Sequence, residues 1–185
     1  MGRQHGTDGT VPNPSCYLNL EKMCRPRPAA VEDNMAVDVG TQAPDFTLVN
    51  QDREPLTLSK LRGRPVVLAF FPAAFSSVCT KELCTFRDQL ARLNRVSGQV
   101  LGISVDTFFA LKAFHTEQRL TFPLLSDFNK KVIREYGVFN EDMIGLKGIA
   151  KRAVFLIDAN GLVQHRQVLD DARNEPDYDE VFARL

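Results

Sequence analysis

The sequence lacks several things, and each absence removes a class of explanation. No stretch approaches the ~20 consecutive apolar residues of a membrane-spanning helix, so a membrane partner is not expected. The N-terminus also has no apolar core of the kind a secretory signal carries, which makes a reducing, cytoplasmic setting the expectation. Charge of one sign is missing. The 23 Lys and Arg balance 23 Asp and Glu, with no long block of either, which argues against nucleic acid as a partner. Histidine is sparse, and none of His5, His115 or His165 has a neighbour that suggests a Cys–His nucleophile pair, so hydrolase chemistry is disfavoured. Cysteines separated by two residues, the mark of a general disulfide oxidoreductase, are absent. Cys16 and Cys24 have seven residues between them. Metal sites use tighter pairs and at least four ligands, so neither a metal nor another cofactor is expected.

What is present is enough for one domain with a full core: 185 residues, 44% of them apolar and 25% charged. Residues 1–34 stand apart. Gly2, Gly6 and Gly9 combine with Pro12, Pro14, Pro26 and Pro28 without any apolar period, the composition of a disordered extension. A domain is therefore expected over 35–185. Within it, Phe46–Val49 reads as a strand and Lys60–Gly63 as a helical turn closed by glycine. The run Val66–Phe71 is continuously apolar, as a central parallel strand covered on both faces would be. The spacing of Cys79, Leu83, Phe86, Leu90 and Leu93 predicts a helix over 77–96. A second buried strand follows at 100–105, a helix at 107–120, a short extended piece at 123–125 and a helix at about 129–136 capped by Ser126-Asp127. Ala153–Ile157 is a third strand, Asp158-Ala159-Asn160-Gly161 a turn, Leu162–Leu169 an antiparallel edge strand, and a last helix begins near Pro176. Strand–helix–strand units ending in a hairpin imply an α/β fold, a central mixed β-sheet flanked by helices in the thioredoxin-like manner.

Cys79 is placed where the buried strand at 66–71 turns into a helix. The first amides of a helix lack intrahelical partners and carry partial positive charge, which favours the thiolate, the reactive form of cysteine. Cys84 follows five positions later. Two thiols near one helix start point to redox chemistry more than to packing.

These residues resemble the signature of the peroxiredoxins: Pro72, a hydroxyl residue four positions on at Ser76, Cys79 three after that, and Arg152 just before the strand that ends at Asp158. The resemblance runs from about Val39 to Leu169 and includes Ala43-Pro44-Asp45-Phe46 and Phe122-Pro123-Leu124-Leu125-Ser126-Asp127. Within the family the chain is similar to the AhpE subgroup and to the bacterioferritin comigratory protein (peroxiredoxin Q) subgroup. One position departs: most relatives carry threonine where Ser76 stands, and serine lacks the methyl that stiffens the rotamer.

The resemblance implies a thiol-specific peroxidase that reduces hydrogen peroxide and organic hydroperoxides. Cys79 would be the nucleophile, Arg152 would favour its thiolate and polarise the peroxide, and the Ser76 hydroxyl would handle the proton. Pro72 would wall the thiolate. Glu82 would orient Arg152 or simply favour the helix start. The Cys79 sulfenic acid would be resolved by Cys84 and recycled by a thioredoxin-type dithiol protein or a low-molecular-weight thiol. An intact helix opposes that pairing. Five residues rise ~7.5 Å and turn ~140°, a Cα separation of roughly 8–9 Å, against the roughly 4.4–6.8 Å of a disulfide. The first turns must therefore unwind. A one-cysteine cycle with an external thiol, and a non-enzymatic redox sensor or holdase, are the alternatives. The relatives include both monomers and homodimers.

Overall fold

The structure, a computed structural model, describes Gly2, residues 37–94 and residues 98–184, with backbone alone for 91–94. The expected extension over 1–34 lies outside the described residues except for Gly2, as does Val96 at the far end of the predicted first helix. In chain order the elements are β1 (Thr47–Asn50), β2 (Pro55–Thr57), a 3-10 turn (Leu58–Leu61), β3 (Val66–Phe70), α1 (Ser77–Asn94), β4 (Gln99–Ser104), α2 (Phe108–Glu117) and β5 (Leu124–Ser126). They continue with α3 (Val132–Glu135), β6 (Phe139–Asn140), β7 (Ile149–Ala150), β8 (Ala153–Ile157), β9 (Val163–Val168) and α4 (Tyr178–Ala183).

Seven strands form one sheet in the order β2-β1-β5-β4-β3-β8-β9. β3 runs parallel to β4, and β4 to β5, whereas β8 is antiparallel to β3 and β9 to β8. The mixed sheet matches the expectation, with one correction: β3 is parallel to only one of its neighbours. Successive side chains of a strand face opposite sides, and β3 uses both. Val66, Leu68 and Phe70 join the cluster that holds Ile133 and Tyr136 of the α3 region. Val67, Ala69 and Phe71 join the one that takes Cys79, Leu83 and Phe86 from α1, Leu111 and Phe114 from α2, and Val181 and Phe182 from α4. Leu83 and Phe86 are fully buried. Each contributes about 1.5–3 kcal/mol on leaving water, which fastens α1 to the sheet by its middle.

Local chemistry sets the ends of the elements. Gly63, at φ 91°, closes the 3-10 turn in a conformation that suits glycine. The Thr107 hydroxyl accepts from Ala110 N to cap α2. This helix ends earlier than the periodicity suggests because Arg119 turns left-handed at φ 49°. The helix expected over 129–136 is shorter still. Lys130 is left-handed, and the Asp127 carboxylate takes the amides of Lys131 and Ile133, so only Val132–Glu135 is helical. The Asp158 carboxylate accepts from Asn160 N and Leu162 N, which builds the predicted β8–β9 turn. The two-residue ladder β6–β7 carries too few residues for a period and is not foreseen by the sequence. Among the described residues no helix is long and apolar enough to cross a membrane.

Gly102 of β4 has ordinary backbone angles but no room: a Cβ there would lie 2.5 Å from Leu124 Cδ2 and 3.4 Å from Phe71 Cε1. Gly102→Ala is expected to cost about 1–3 kcal/mol through overpacking, read as a lower urea-denaturation midpoint at unchanged slope. A midpoint equal to that of the unmutated chain would contradict this account of the layer.

Candidate active site

The site begins where β3 ends. Phe71 N still bonds Ile103 O at 3.0 Å, continuing the sheet. Pro72 is buried, has no N–H to leave unsatisfied, and starts the turn into α1. The turn is held from below by Asp106, whose carboxylate accepts from Ala74 N at 2.8 Å and from the Ser104 hydroxyl at 2.9 Å. Phe75 follows in the left-handed region at φ 65°, half exposed, with its ring edge-on to Phe114 at 5.1 Å. A bulky residue there stores strain that the surrounding contacts must hold.

Ser76 stands just before α1, and its carbonyl accepts from Thr80 N at 2.9 Å. Cys79 is the third residue of the helix and has no exposed surface. Its amide falls in the first turn, which presents N–H groups without intrahelical partners. Because β8 is antiparallel to β3 with Phe70 opposite Ala153, the residue before β8 arrives at the end of β3. That residue is Arg152, 1% exposed. Its Nη2 donates to Cys79 Sγ at 3.4 Å, and its Nη1 bonds Glu82 Oε2. Nε and Nη2 both donate to the Ala172 carbonyl, at 3.2 and 2.9 Å.

Glu82 lies one helical turn after Cys79, on the same face, and is fully buried. Only one of its oxygens is satisfied; Oε1 has no hydrogen-bond partner among the described residues. Burial therefore dominates and pushes the carboxyl up to about 7, against the pull of Arg152. For Arg152 burial works against the charge, but Glu82 and Cys79 together outweigh it and hold the guanidinium protonated. Tyr178 packs edge-on against Phe86 of α1. Burial first, then the negative charges of Glu82 and Glu175, raise its phenol well above the usual range.

Of the residues singled out from the sequence, Cys79, Arg152 and Glu82 form one buried constellation, with Pro72 buried at its edge. Two are not brought in. Ser76 is exposed, and its hydroxyl forms no hydrogen bond with Cys79. Cys84 is half-buried on the intact α1, and its Sγ donates instead to Gln118 Oε1 at 3.8 Å. Both thiols are free. Three contributors escape sequence reasoning: Asp106 under the loop, the Ala172 carbonyl on Arg152, and Tyr178. A main-chain carbonyl has no sequence signal. Asp106, two residues beyond a strand, reads as ordinary turn chemistry. Among the described residues no group of His, Cys, Asp and Glu is arranged to hold a metal ion.

The family model described as AhpC/TSA matches residues 39–166. The chloroplastic peroxiredoxin Q of rice (Oryza sativa subsp. japonica) is 41% identical over 129 residues, 70% of this chain, which spans 58% of that protein's length. Among solved structures, peroxidoxin BcpB of Mycobacterium tuberculosis is 33% identical, covering 80% of this chain and 96% of its own, with a TM-score of 0.72. A peroxiredoxin-like protein of Aquifex aeolicus is 29% identical, covering 80% and 86%, with a TM-score of 0.74. A thioredoxin-like fold shared with these structures, a family match across most of the chain, and a helix-start cysteine under a buried arginine agree with one another: the chain belongs to the AhpC/TSA family, the peroxiredoxins.

Proposed function

We propose that the chain is a thiol peroxidase acting on hydrogen peroxide and organic hydroperoxides, with Cys79 as its nucleophile. The observation that carries this is the 3.4 Å contact of Arg152 Nη2 with a fully buried Cys79 Sγ at a helix start. The Cys79 thiolate attacks one peroxide oxygen. The S–O bond forms as the O–O bond breaks, and the second oxygen leaves as an alkoxide or hydroxide that takes up a proton. Charge moves from sulfur to the leaving oxygen, and a fixed guanidinium beside both stabilises the transfer without reorganising. Four of the five Arg152 N–H groups are accounted for by Glu82, Ala172 and Cys79, which leaves one for the peroxide. Because Sγ exposes no surface, the Phe75–Ser76 turn must shift to admit substrate, and the same shift brings the Ser76 hydroxyl towards the sulfur. Pro72 shields the thiolate.

The product on Cys79 is a sulfenic acid. Cys84 resolves it to a disulfide, which a thioredoxin-like dithiol protein or a small thiol reduces. Support comes from the weak hold on Cys84, a single long S–H···O bond, and from the strained Phe75 two residues before α1. The intact helix between the two thiols favours a second reading, a one-cysteine cycle in which an external thiol attacks Cys79 directly. A reducing compartment such as the cytoplasm fits the free thiols. The expected division into an extension and a domain over 35–185 makes the peroxidase the work of the domain.

Cys79→Ser is expected to abolish peroxide consumption. Arg152→Lys should slow single-turnover oxidation of Cys79 by about 10²-fold or more, since a point charge cannot reproduce the shared fork. Stopped-flow peroxide mixing reads both, and an Arg152→Lys rate within threefold of the unmutated chain refutes the assignment. Cys84→Ser should keep the single turnover but lose thioredoxin-driven cycling; retained cycling selects the one-cysteine reading.

Glu82 gives a pH signature. Its native value of about 7 lies above the ordinary 4.5, so between these values the unfolded chain sheds a proton that the folded chain keeps. The stability that depends on this group is complete below about pH 4.5 and is lost as pH rises through about 7. Glu82→Gln stays neutral throughout. Its urea midpoint should therefore gain on that of the unmutated chain from pH 5 to pH 8, and a constant difference across that range would contradict the burial argument.

A further inference from the structure

Cys84 lies at a seam between α1 and the end of α2 where one residue, Gln118, is gripped twice. The Gln118 side-chain Oε1 accepts the Cys84 thiol at 3.8 Å, and its main-chain carbonyl accepts Arg87 Nη1 at 2.6 Å. Arg87 is three positions after Cys84 on α1, so the two side chains share a face. Its Nε is braced by Asp88 at 2.8 Å. The carbonyl end of a helix carries partial negative charge, so the end of α2 by itself offers nothing that would stabilise negative charge gathering on the Cys84 sulfur. Of the other charged side chains on the two segments, Lys81, Asp88, Glu117 and Arg119 are exposed and screened by water and salt, and the buried Glu82 is engaged by Arg152. Arg87 is 29% exposed, and attraction to the Cys84 sulfur, after the Asp88 hydrogen bond, is among the forces that strengthen its charge.

We propose that Arg87 is a positioning residue for the resolving step, keeping a pinned positive charge beside the Cys84 sulfur so that negative charge gathering there on attack is stabilised. The inference rests on Cys84 being the resolving thiol. In that step the Cys84 sulfur attacks the sulfenic sulfur of Cys79. The S–S bond forms as the S–O bond breaks, and the oxygen leaves as water, with its own hydrogen and the proton released by the Cys84 thiol. Arg87 also marks where unwinding of α1 stops. Phe86 is locked in the core and Arg87 is tied to α2, so the turn that carries Cys79 travels to Cys84 rather than the reverse.

The test compares Arg87→Gln, which keeps an N–H donor for the Gln118 carbonyl but no charge, with Arg87→Lys, which keeps the charge. One equivalent of hydrogen peroxide is mixed with the full chain. Sulfenic acid formation and Cys79–Cys84 disulfide formation are followed as separate phases by quenched mass spectrometry. The first phase should be unchanged in both variants. The second should slow at least about fivefold in Arg87→Gln, the effect of one charge at short range even in a water-like dielectric, and stay within twofold in Arg87→Lys. In a Cys79→Ser background, iodoacetamide alkylation of Cys84, read on its own peptide at pH 7, should slow in the same order. This reaction involves no disulfide geometry. Equal disulfide rates in the unmutated and Gln chains, or equal losses in Gln and Lys, would overturn the inference alone. Failure of the unmutated chain to form a Cys79–Cys84 disulfide would overturn the resolving role of Cys84 and this inference with it.

Discussion

Two opposite charges are buried together beneath the start of α1, and the rest of the site is arranged around them. Taking an arginine and a glutamate out of water costs several kcal/mol apiece, and mutual attraction recovers this only if the remaining N–H groups and lone pairs find partners. On the Arg152 side all but one do: the Ala172 carbonyl takes two N–H groups, and Cys79 takes a third. On the Glu82 side they do not, since Oε1 is bare. The imbalance leaves a guanidinium that is firmly charged and firmly placed, beside a carboxyl poised near neutrality. A fixed cation next to a sulfur is what the proposed peroxide chemistry uses, and Arg152 Nη2 faces Cys79.

The same helix that presents Cys79 must yield if Cys84 is to reach it, so α1 combines strong and weak attachments. Leu83 and Phe86 hold its middle in the core. The first turn is held through Glu82 and Arg152 and through the exposed Lys81–Glu175 pair, of which the latter contributes little. The strain at Phe75 and the surface position of Ser76 put strained, exposed backbone just before Cys79. Opening there costs the Glu82–Arg152 contact and withdraws Cys79 from the core cluster, but leaves Phe86 in place. Segments that move are drawn from the low-stability end of a structure, and the strained turn before α1 lies next to Cys79.

The segment after β9 is more than a tail. Ala172 orients Arg152, Tyr178 and Phe182 pack edge-on against Phe86, and Glu175 links Lys81 to the Tyr178 hydroxyl. Family matching stops at residue 166, yet the guanidinium takes its direction partly from a carbonyl beyond that point.

Patterns that repeat along the chain were legible in it. The run from Val66, the spacing of Cys79, Leu83 and Phe86, and the Asp158–Gly161 turn each declare their element because neighbours in sequence are neighbours in space. By those means the sequence placed Cys79 at a helix start and put Cys84 out of its direct reach. It named Arg152 through family likeness. It did not show what that arginine touches, since the contact with Cys79 joins positions 73 residues apart and exists only because β8 folds back antiparallel on β3. The shortened α3, the β6–β7 ladder, the Ala172 carbonyl and the meeting of Cys84 with Gln118 share that origin. Each depends on where distant backbone comes to rest, and local propensity carries no record of it.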